Sequence, residues 1–286
     1  MPRNINRNSQ ISILFILPSL CRAGAETQVV NLVNQINSHK FKKYLFTYLD
    51  DTTLQSRLNV NDVFFFNYAR KNKFDFSIIK AVAEFIDRKG IDIVHCTTAH
   101  SMLVGWLGKI WSEKKPKLIA AIHTTIQKSF KAKFYDRVLY QWILRACDCV
   151  IFVSTHQKEY WVAKYPFLFK KSKVVYNGVD TSHFCPQGYE AIGLEVRRSL
   201  GIPNNRGVVC CLANFRPEKS HDILIRAFER FSSRFFLLLV GDGETKRDIE
   251  ALVKARKMST SVKFMGEVAD VRPILAGAFI LLVSCR

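Results

Sequence analysis

The sequence predicts an α/β protein made of two doubly wound domains, each a largely parallel sheet covered by helices. Three observations carry this. Short, near-continuous apolar runs recur along the chain, the pattern of strands buried on both faces. Stretches of helical spacing separate several of them, as the crossovers of a parallel sheet require. The alternation breaks once, near residues 180–205, and then starts again.

In the first half the strand-like runs are ISILFIL (11–17), KYLFTYL (43–49), DVFFFNYA (62–69), IDIVHCT (91–97), KLIAAIH (117–123) and DCVIFVS (148–154). Helical patterns occupy 26–38, 77–89, 99–112 and 130–146, and KVVYNGV (173–179) supplies the last strand before the break. The first run follows Arg3 and Arg7 and precedes small residues, which imitates a secretory signal. The helical spacing of ETQVVNLVNQI behind it assigns it instead to a buried first strand. Asp180, Pro186, Gly188 and Pro203 interrupt the periodicity, so the domains are placed at 1–180 and 181–286. The second half has strands at 208–215, 235–240, 262–266 and 279–284, with helices at 219–232 and 245–257. Arg286 follows the last strand directly, where a doubly wound domain would add a covering helix. The second domain is therefore expected to be incomplete.

An apolar fraction of 48% suits a packed core and excludes a disordered chain. Forty-three basic residues against 24 acidic ones leave a net charge of +19, which favours anionic partners: phosphates, nucleic acid or an anionic membrane surface. The excess is concentrated from Lys109 to Lys173, where the acids are Glu113, Asp136, Asp148 and Glu159. The segment 128–144 sets Phe130, Phe134 and Val138 beside Lys128, Lys131, Lys133 and Arg137, either a helix docked on the sheet or an interfacial helix contacting lipid. Against nucleic acid, the aromatics sit in apolar runs and are not interleaved with the charges. The eight cysteines lack a Cys-x-x-Cys pair and lie mostly in apolar runs, so they read as buried thiols in a reducing compartment. No run reaches the ~18 apolar residues of a spanning helix. A phosphate-binding G-x-x-x-x-G-K-[ST] loop, an H-E-x-x-H pair and a G-x-S-x-G elbow are all absent, and no metal is expected.

Candidate chemistry gathers at strand ends. Arg216 and Lys219 follow the run 208–215 at a helix start, where one turn brings a forked and a point cation together over an anion. The bland alternative is a solvated pair of surface charges. Gly24 lies between the first strand and the first helix, where a residue without Cβ lets the backbone approach an anion; an ordinary turn glycine is the alternative. His123 ends the run KLIAAIH ahead of Thr124 and Thr125, as a positioning group or a structural histidine. His95 and His100 occupy a similar zone and read as structural. Gly241-Asp242-Gly243 suits a tight turn but is no dinucleotide fingerprint, because Lys246 stands where a third glycine would.

NGVD (177–180) followed by Phe184, then RPEK (216–219) before a helix with Ala227-Phe228, then LLLVGDG (237–243), resembles the retaining glycosyltransferases of family 4, with the GT-B fold of two Rossmann-like domains facing a cleft. ILPSLCRAGAETQVVNLV (16–33), AIHTT (121–125) and DCVIFVS (148–154) fit the same order, so the resemblance covers nearly the whole chain. It implies metal-independent sugar transfer, with retention, from a nucleotide-diphosphate-sugar donor to a glycan or lipid-linked acceptor in cell-surface polysaccharide or lipopolysaccharide synthesis. No cofactor is implied beyond that co-substrate. It implies that Arg216 and Lys219 hold the diphosphate, that Gly24 admits the donor and that His123 positions the sugar. Gly241 and Gly243 would face the nucleotide, and Val271 would offer backbone groups to the base. The first domain would recognise the acceptor, and the protein would be cytoplasmic and peripheral on the inner membrane face. The chain departs from the family in having Ala23 before Gly24 and Asn214 where many relatives carry the arginine. It is expected to be truncated before the family's loop of two spaced glutamates, with activity reduced accordingly. Two other readings stand beside this one: a non-catalytic nucleotide- or nucleic-acid-binding module, and a GT-B nucleotide-sugar epimerase.

Overall fold

The computed structural model describes residues 10–72, 75–123, 140–185 and 187–284. Thr124, Thr125, Pro186 and most of the amphipathic segment 128–144 lie outside the described residues. The chain divides into two compact units, Met1–Val179 and Asp180–Arg286.

In the first unit the strands are β1 (Ile11–Ile16), β2 (Phe41–Thr47), β3 (Val63–Asn67), β4 (Ile93–Cys96), β5 (Lys117–Ile122), β6 (Cys149–Phe152) and β7 (Ser172–Val174). They form one sheet in the order β3-β2-β1-β4-β5-β6-β7, with every neighbouring pair parallel. The helices are α1 (Gly24–Gln35), α2 (Ser77–Lys89), α3 (Ala99–Trp111), α4 (Gln141–Ala146) and α5 (Thr155–Lys164). Alternation along β1 explains why both faces are covered. Ile13, Phe15 and Leu17 pack with Val29, Val30 and Val33 of α1, while Leu14 and Ile16 join the core that holds Val82, Phe85 and Ile86 of α2. Each such side chain contributes ~1.5–3 kcal/mol by leaving water. Lys43 on β2 is wholly buried, yet its ammonium donates to the Ile36 carbonyl (3.0 Å) and Ser38 Oγ (2.9 Å). It thereby satisfies acceptors just beyond the end of α1.

The second unit runs α6 (Glu190–Ser199), β8 (Gly207–Leu212), α7 (His221–Phe228), β9 (Phe235–Val240), α8 (Lys246–Ala255), β10 (Val262–Gly266), α9 (Arg272–Gly277) and β11 (Ile280–Leu282). Its sheet, β10-β9-β8-β11, is also parallel throughout. Val209 and Cys211 point into a core with Leu224, Ile225, Ile249 and Val253 from α7 and α8. Val208 and Cys210 point the other way, toward Ile202 and Ile274. The expectation of an incomplete second domain is thus corrected. β11 joins β8 in register, Ile280 to Val209 through Leu282 to Cys211, and both faces of the sheet carry a packed core. The stretch read as a linker also contains α6, which packs against α9.

Candidate functional site

Arg216, Lys219, Gly241, Gly243 and Val271 all fall at the C-terminal edge of the second sheet, because β8, β9 and β10 run in parallel. Their loops are laced by backbone hydrogen bonds. The Phe215 N–H donates to the Asp242 carbonyl (2.9 Å), the Thr245 N–H to the Phe215 carbonyl (3.1 Å), and the Gly241 N–H to the Gly266 carbonyl (2.8 Å). The two glycines are demanded by this closeness. At Gly241 (φ 137°) a Cβ would lie 2.4 Å from the Ala213 oxygen, and at Gly243 (φ 151°) 2.5 Å from the Phe215 oxygen. Both are therefore required by the fold itself.

After β8 the chain makes a 3-10 turn at Pro217–Lys219, in which the Lys219 N–H donates to the Arg216 carbonyl (2.9 Å). The turn carries both cations, with Arg216 exposed and Lys219 half-buried. Among the described residues no ion pair or side-chain hydrogen bond engages either charged group. Ser220 then adopts a left-handed conformation (φ 49°) and α7 begins. The acid nearest in sequence on the next loop, Asp242, is already engaged. Lys246 Nζ lies 2.8 Å from Oδ2 and holds the carboxyl below its ordinary range, and the Gly243 N–H donates to Oδ1. Two free cations beside a helix start and a neutralised acid suit an anion with several oxygens. Val271 is half-buried immediately before α9, with its carbonyl accepting from the Leu275 N–H.

Gly24 and His123 lie at the same edge of the first sheet, after β1 and β5. Gly24 opens α1 with nothing within 4 Å of where a Cβ would stand, so no close approach among the described residues requires it. His123 is half-buried, and burial lowers its pKa. His95, on the intervening strand β4, is pushed down to about 4 by burial and by the nearby His123, and its ring packs on Phe15 at 5.0 Å. Both imidazoles are therefore neutral near pH 7.

Sequence reasoning missed a polar cluster on that edge. His100 Nδ1 lies 2.8 Å from the Tyr48 hydroxyl, which also meets Ser101 Oγ at 3.3 Å. Arg70 sits over the Tyr48 ring at 5.8 Å, and burial pushes the phenol up to about 12. Polar residues just past β2 (Tyr48) and in the first turn of α3 (His100) were the available signal. Among the described residues no three His, Cys, Asp or Glu side chains converge as a metal ion would need, and no helix is long and apolar enough to cross a membrane.

Comparison with known proteins places this geometry. The family model "Glycosyltransferase Family 4" matches residues 22–183, and the model "Glycosyl transferases group 1" matches 194–286. Together they extend over nearly the whole chain, which corrects the expectation of a chain truncated within its second half. The O-antigen biosynthesis glycosyltransferase WclY of Escherichia coli is 23% identical over 96% of this chain and 74% of its own length. The crystal structure of Anabaena HepE in complex with UDP and glucose superposes with a TM-score of 0.80 at 19% identity, covering 96% of this chain and 74% of that one. WaaG, a glycosyltransferase involved in lipopolysaccharide biosynthesis, gives 0.70 at 15% identity over 96% of this chain and 75% of its own. These structural likenesses establish a two-domain, GT-B-like fold.

Proposed function

The chain belongs to Glycosyltransferase Family 4, and from that premise we propose that it moves a sugar from a nucleotide-diphosphate-sugar to a glycan or lipid-linked acceptor in the synthesis of a cell-surface polysaccharide or lipopolysaccharide. The observation that carries this reading is the pair of cations, Arg216 and Lys219, unengaged among the described residues, on one turn at the C-terminal edge of the second sheet. When the bond between the sugar carbon and the phosphate oxygen breaks, negative charge builds on the departing diphosphate. Preorganised cations lower that barrier, each such group contributing about 10²–10³ in rate. His123, neutral at the end of β5, donates or accepts a hydrogen bond to orient the sugar. Gly24 leaves room for the donor at the start of α1. The Val271 region supplies backbone groups to the base. The first unit, Met1–Val179, takes the acceptor and the second, Asp180–Arg286, the donor.

Titration with UDP, the nucleotide bound in the HepE crystals, tests the site. Arg216→Ala with Lys219→Ala is expected to weaken binding by about 100-fold or more while the protein stays folded. Unchanged affinity in the double variant would remove the assignment.

A peripheral membrane location is supported by a separate feature. Trp111, Trp142 and Phe169 are exposed in the segments leading into β5, β6 and β7, with Arg145 over the Trp142 ring at 5.3 Å and Lys109, Lys117 and Lys171 nearby in sequence. Aromatic rings among cations suit an anionic bilayer surface. Flotation with anionic vesicles and none with neutral ones is expected; equal, negligible recovery with both would exclude it.

A further inference from the structure

The turn that bears Arg216 and Lys219 is closed at its base by two stacked rings. Phe215 immediately precedes Arg216, and His221 follows Lys219 by two residues. Their centroids lie 4.3 Å apart with the planes 15° from parallel, and the two residues are 0% and 2% exposed. Phe215 is itself fixed, because its backbone is bonded on both sides to the 242–245 loop and its ring packs against Phe264 at 5.8 Å. At the other end of the turn, Ser284 Oγ donates to the Lys219 carbonyl (2.5 Å), and Ser220 is bent into the left-handed region.

His221 uses none of its polarity here. Among the described residues neither ring nitrogen has a hydrogen-bond partner, and Ser220 Oγ beside it has none either. Buried polar atoms are normally satisfied, so the contribution of this imidazole to the folded state is its flat face. That face lies against the residue that launches Arg216, while its own backbone continues from Lys219. We propose that His221 is a positioning residue for the anion site: its stack on Phe215 clasps the two ends of the turn and thereby sets the spacing of the two cations. The proposal rests on the reading of Arg216 and Lys219 as the diphosphate-holding pair.

A clasp differs from ordinary core packing in what it moves. Loss of packing lowers stability everywhere in the unit, whereas loss of a clasp lowers affinity only through the groups it positions. UDP titration of five variants in the full chain separates these effects. His221→Phe keeps a flat ring and removes the unpaired nitrogens, so it is expected to bind within about twofold of the unmodified protein and to melt higher. His221→Ala removes the ring and is expected to bind about tenfold more weakly, with the circular dichroism spectrum retained. Should His221→Ala unfold the second unit, His221→Leu fills the space without a flat ring and carries the same expectation. In the Arg216→Ala, Lys219→Ala background, adding His221→Ala is expected to have no further effect, since the groups it positions are gone.

Binding by His221→Ala equal to that of the unmodified protein overturns the clasp. So does a loss in His221→Phe as large as that in His221→Ala, or an undiminished further loss in the cation-free background. If Arg216→Ala with Lys219→Ala leaves UDP binding intact, the diphosphate reading itself falls, an outcome distinguishable from failure of His221 alone.

Discussion

The C-terminal edges of the two sheets differ in what their glycines meet. In the second unit, backbone meets backbone: the loops after β8, β9 and β10 are hydrogen-bonded to one another, and Gly241 and Gly243 sit where a Cβ would strike a carbonyl at 2.4–2.5 Å. In the first unit the loops after β1 and β2 are bonded as well, the Tyr48 and Leu49 N–H groups to the Pro18 carbonyl and the Leu20 N–H to the Asp51 carbonyl, but Gly24 has nothing among the described residues within 4 Å of a Cβ. Glycine therefore carries different information in the two places. Gly241 and Gly243 are explained by the fold without any ligand. Gly24 is not explained by any contact among the described residues.

The largest effect that tests this contrast is in the second unit. Gly243→Ala is expected to destabilise it by more than about 3 kcal/mol, through the clash with Phe215 and the backbone conformation combined. The chain makes this measurable. Its four tryptophans, Trp106, Trp111, Trp142 and Trp161, all lie in the first unit. Tryptophan emission thus reports that unit alone, and far-ultraviolet dichroism reports both. A variant whose dichroism transition is unshifted would show that the laced loops can relax around a methyl group.

Next in size is the response to acid of one carboxylate in the first unit. Asp148 is partly buried, which raises its pKa, but Lys117 (2.8 Å), Lys109 (2.9 Å) and the Leu118 N–H (2.9 Å) outweigh burial and hold it down at about 2. A depressed carboxylate stabilises the folded state fully above its ordinary pKa of 3.8 and loses that contribution as pH falls through about 2. Allowing for solvent screening, about 1 kcal/mol is involved. The urea midpoint read by tryptophan emission is expected to fall between pH 4 and pH 2 less steeply in Asp148→Asn than in the unmodified protein. Identical slopes would dismiss the ion cluster as a stabilising element.

Ser220→Gly is expected to stabilise the second unit by about 1 kcal/mol, because glycine adopts the left-handed conformation at φ 49° freely and takes the unpaired hydroxyl away. A lowered dichroism midpoint would mean that the hydroxyl has a stabilising partner. The smallest effect on stability belongs to Gly24→Ala, expected within about 0.5 kcal/mol of the unmodified protein, since the methyl meets nothing and the site opens a helix. The same variant is expected to bind UDP-glucose several-fold more weakly by calorimetry. Loss of stability without loss of affinity would reverse the reading of that glycine.

The strands were legible because each is a short apolar run buried on both faces, and the parallel order follows from the crossovers between them. Helix α6 was not legible. The residue it buries is Gly193, with Ile192 and Leu194 exposed and Val196 only partly buried against the core, so its tightest packing is through a small residue, while Gly188 and Pro203 on either side suggest a linker. Of the candidate site, Arg216 and Lys219 stand out as cations interrupting a strand-to-helix passage. His221 does not: its stack on Phe215 spans an irregular turn and follows no helical or strand period. The Tyr48–His100 contact joins residues 52 apart in sequence, a pairing that only the topology of the sheet creates.

The lacing of the three loops sets a clock on the second unit. The Phe215 amide proton is held by the Asp242 carbonyl, on a loop that is itself tied back by the Thr245 N–H to the Phe215 carbonyl and by the Gly241 N–H to the Gly266 carbonyl. In deuterated water the Phe215 and Gly241 amide protons should exchange only when several segments separate together, at rates tracking the global opening of that unit. The edge that gathers the candidate donor residues is then among the last parts of its unit to come apart, and the first whose exchange a bound nucleotide would slow.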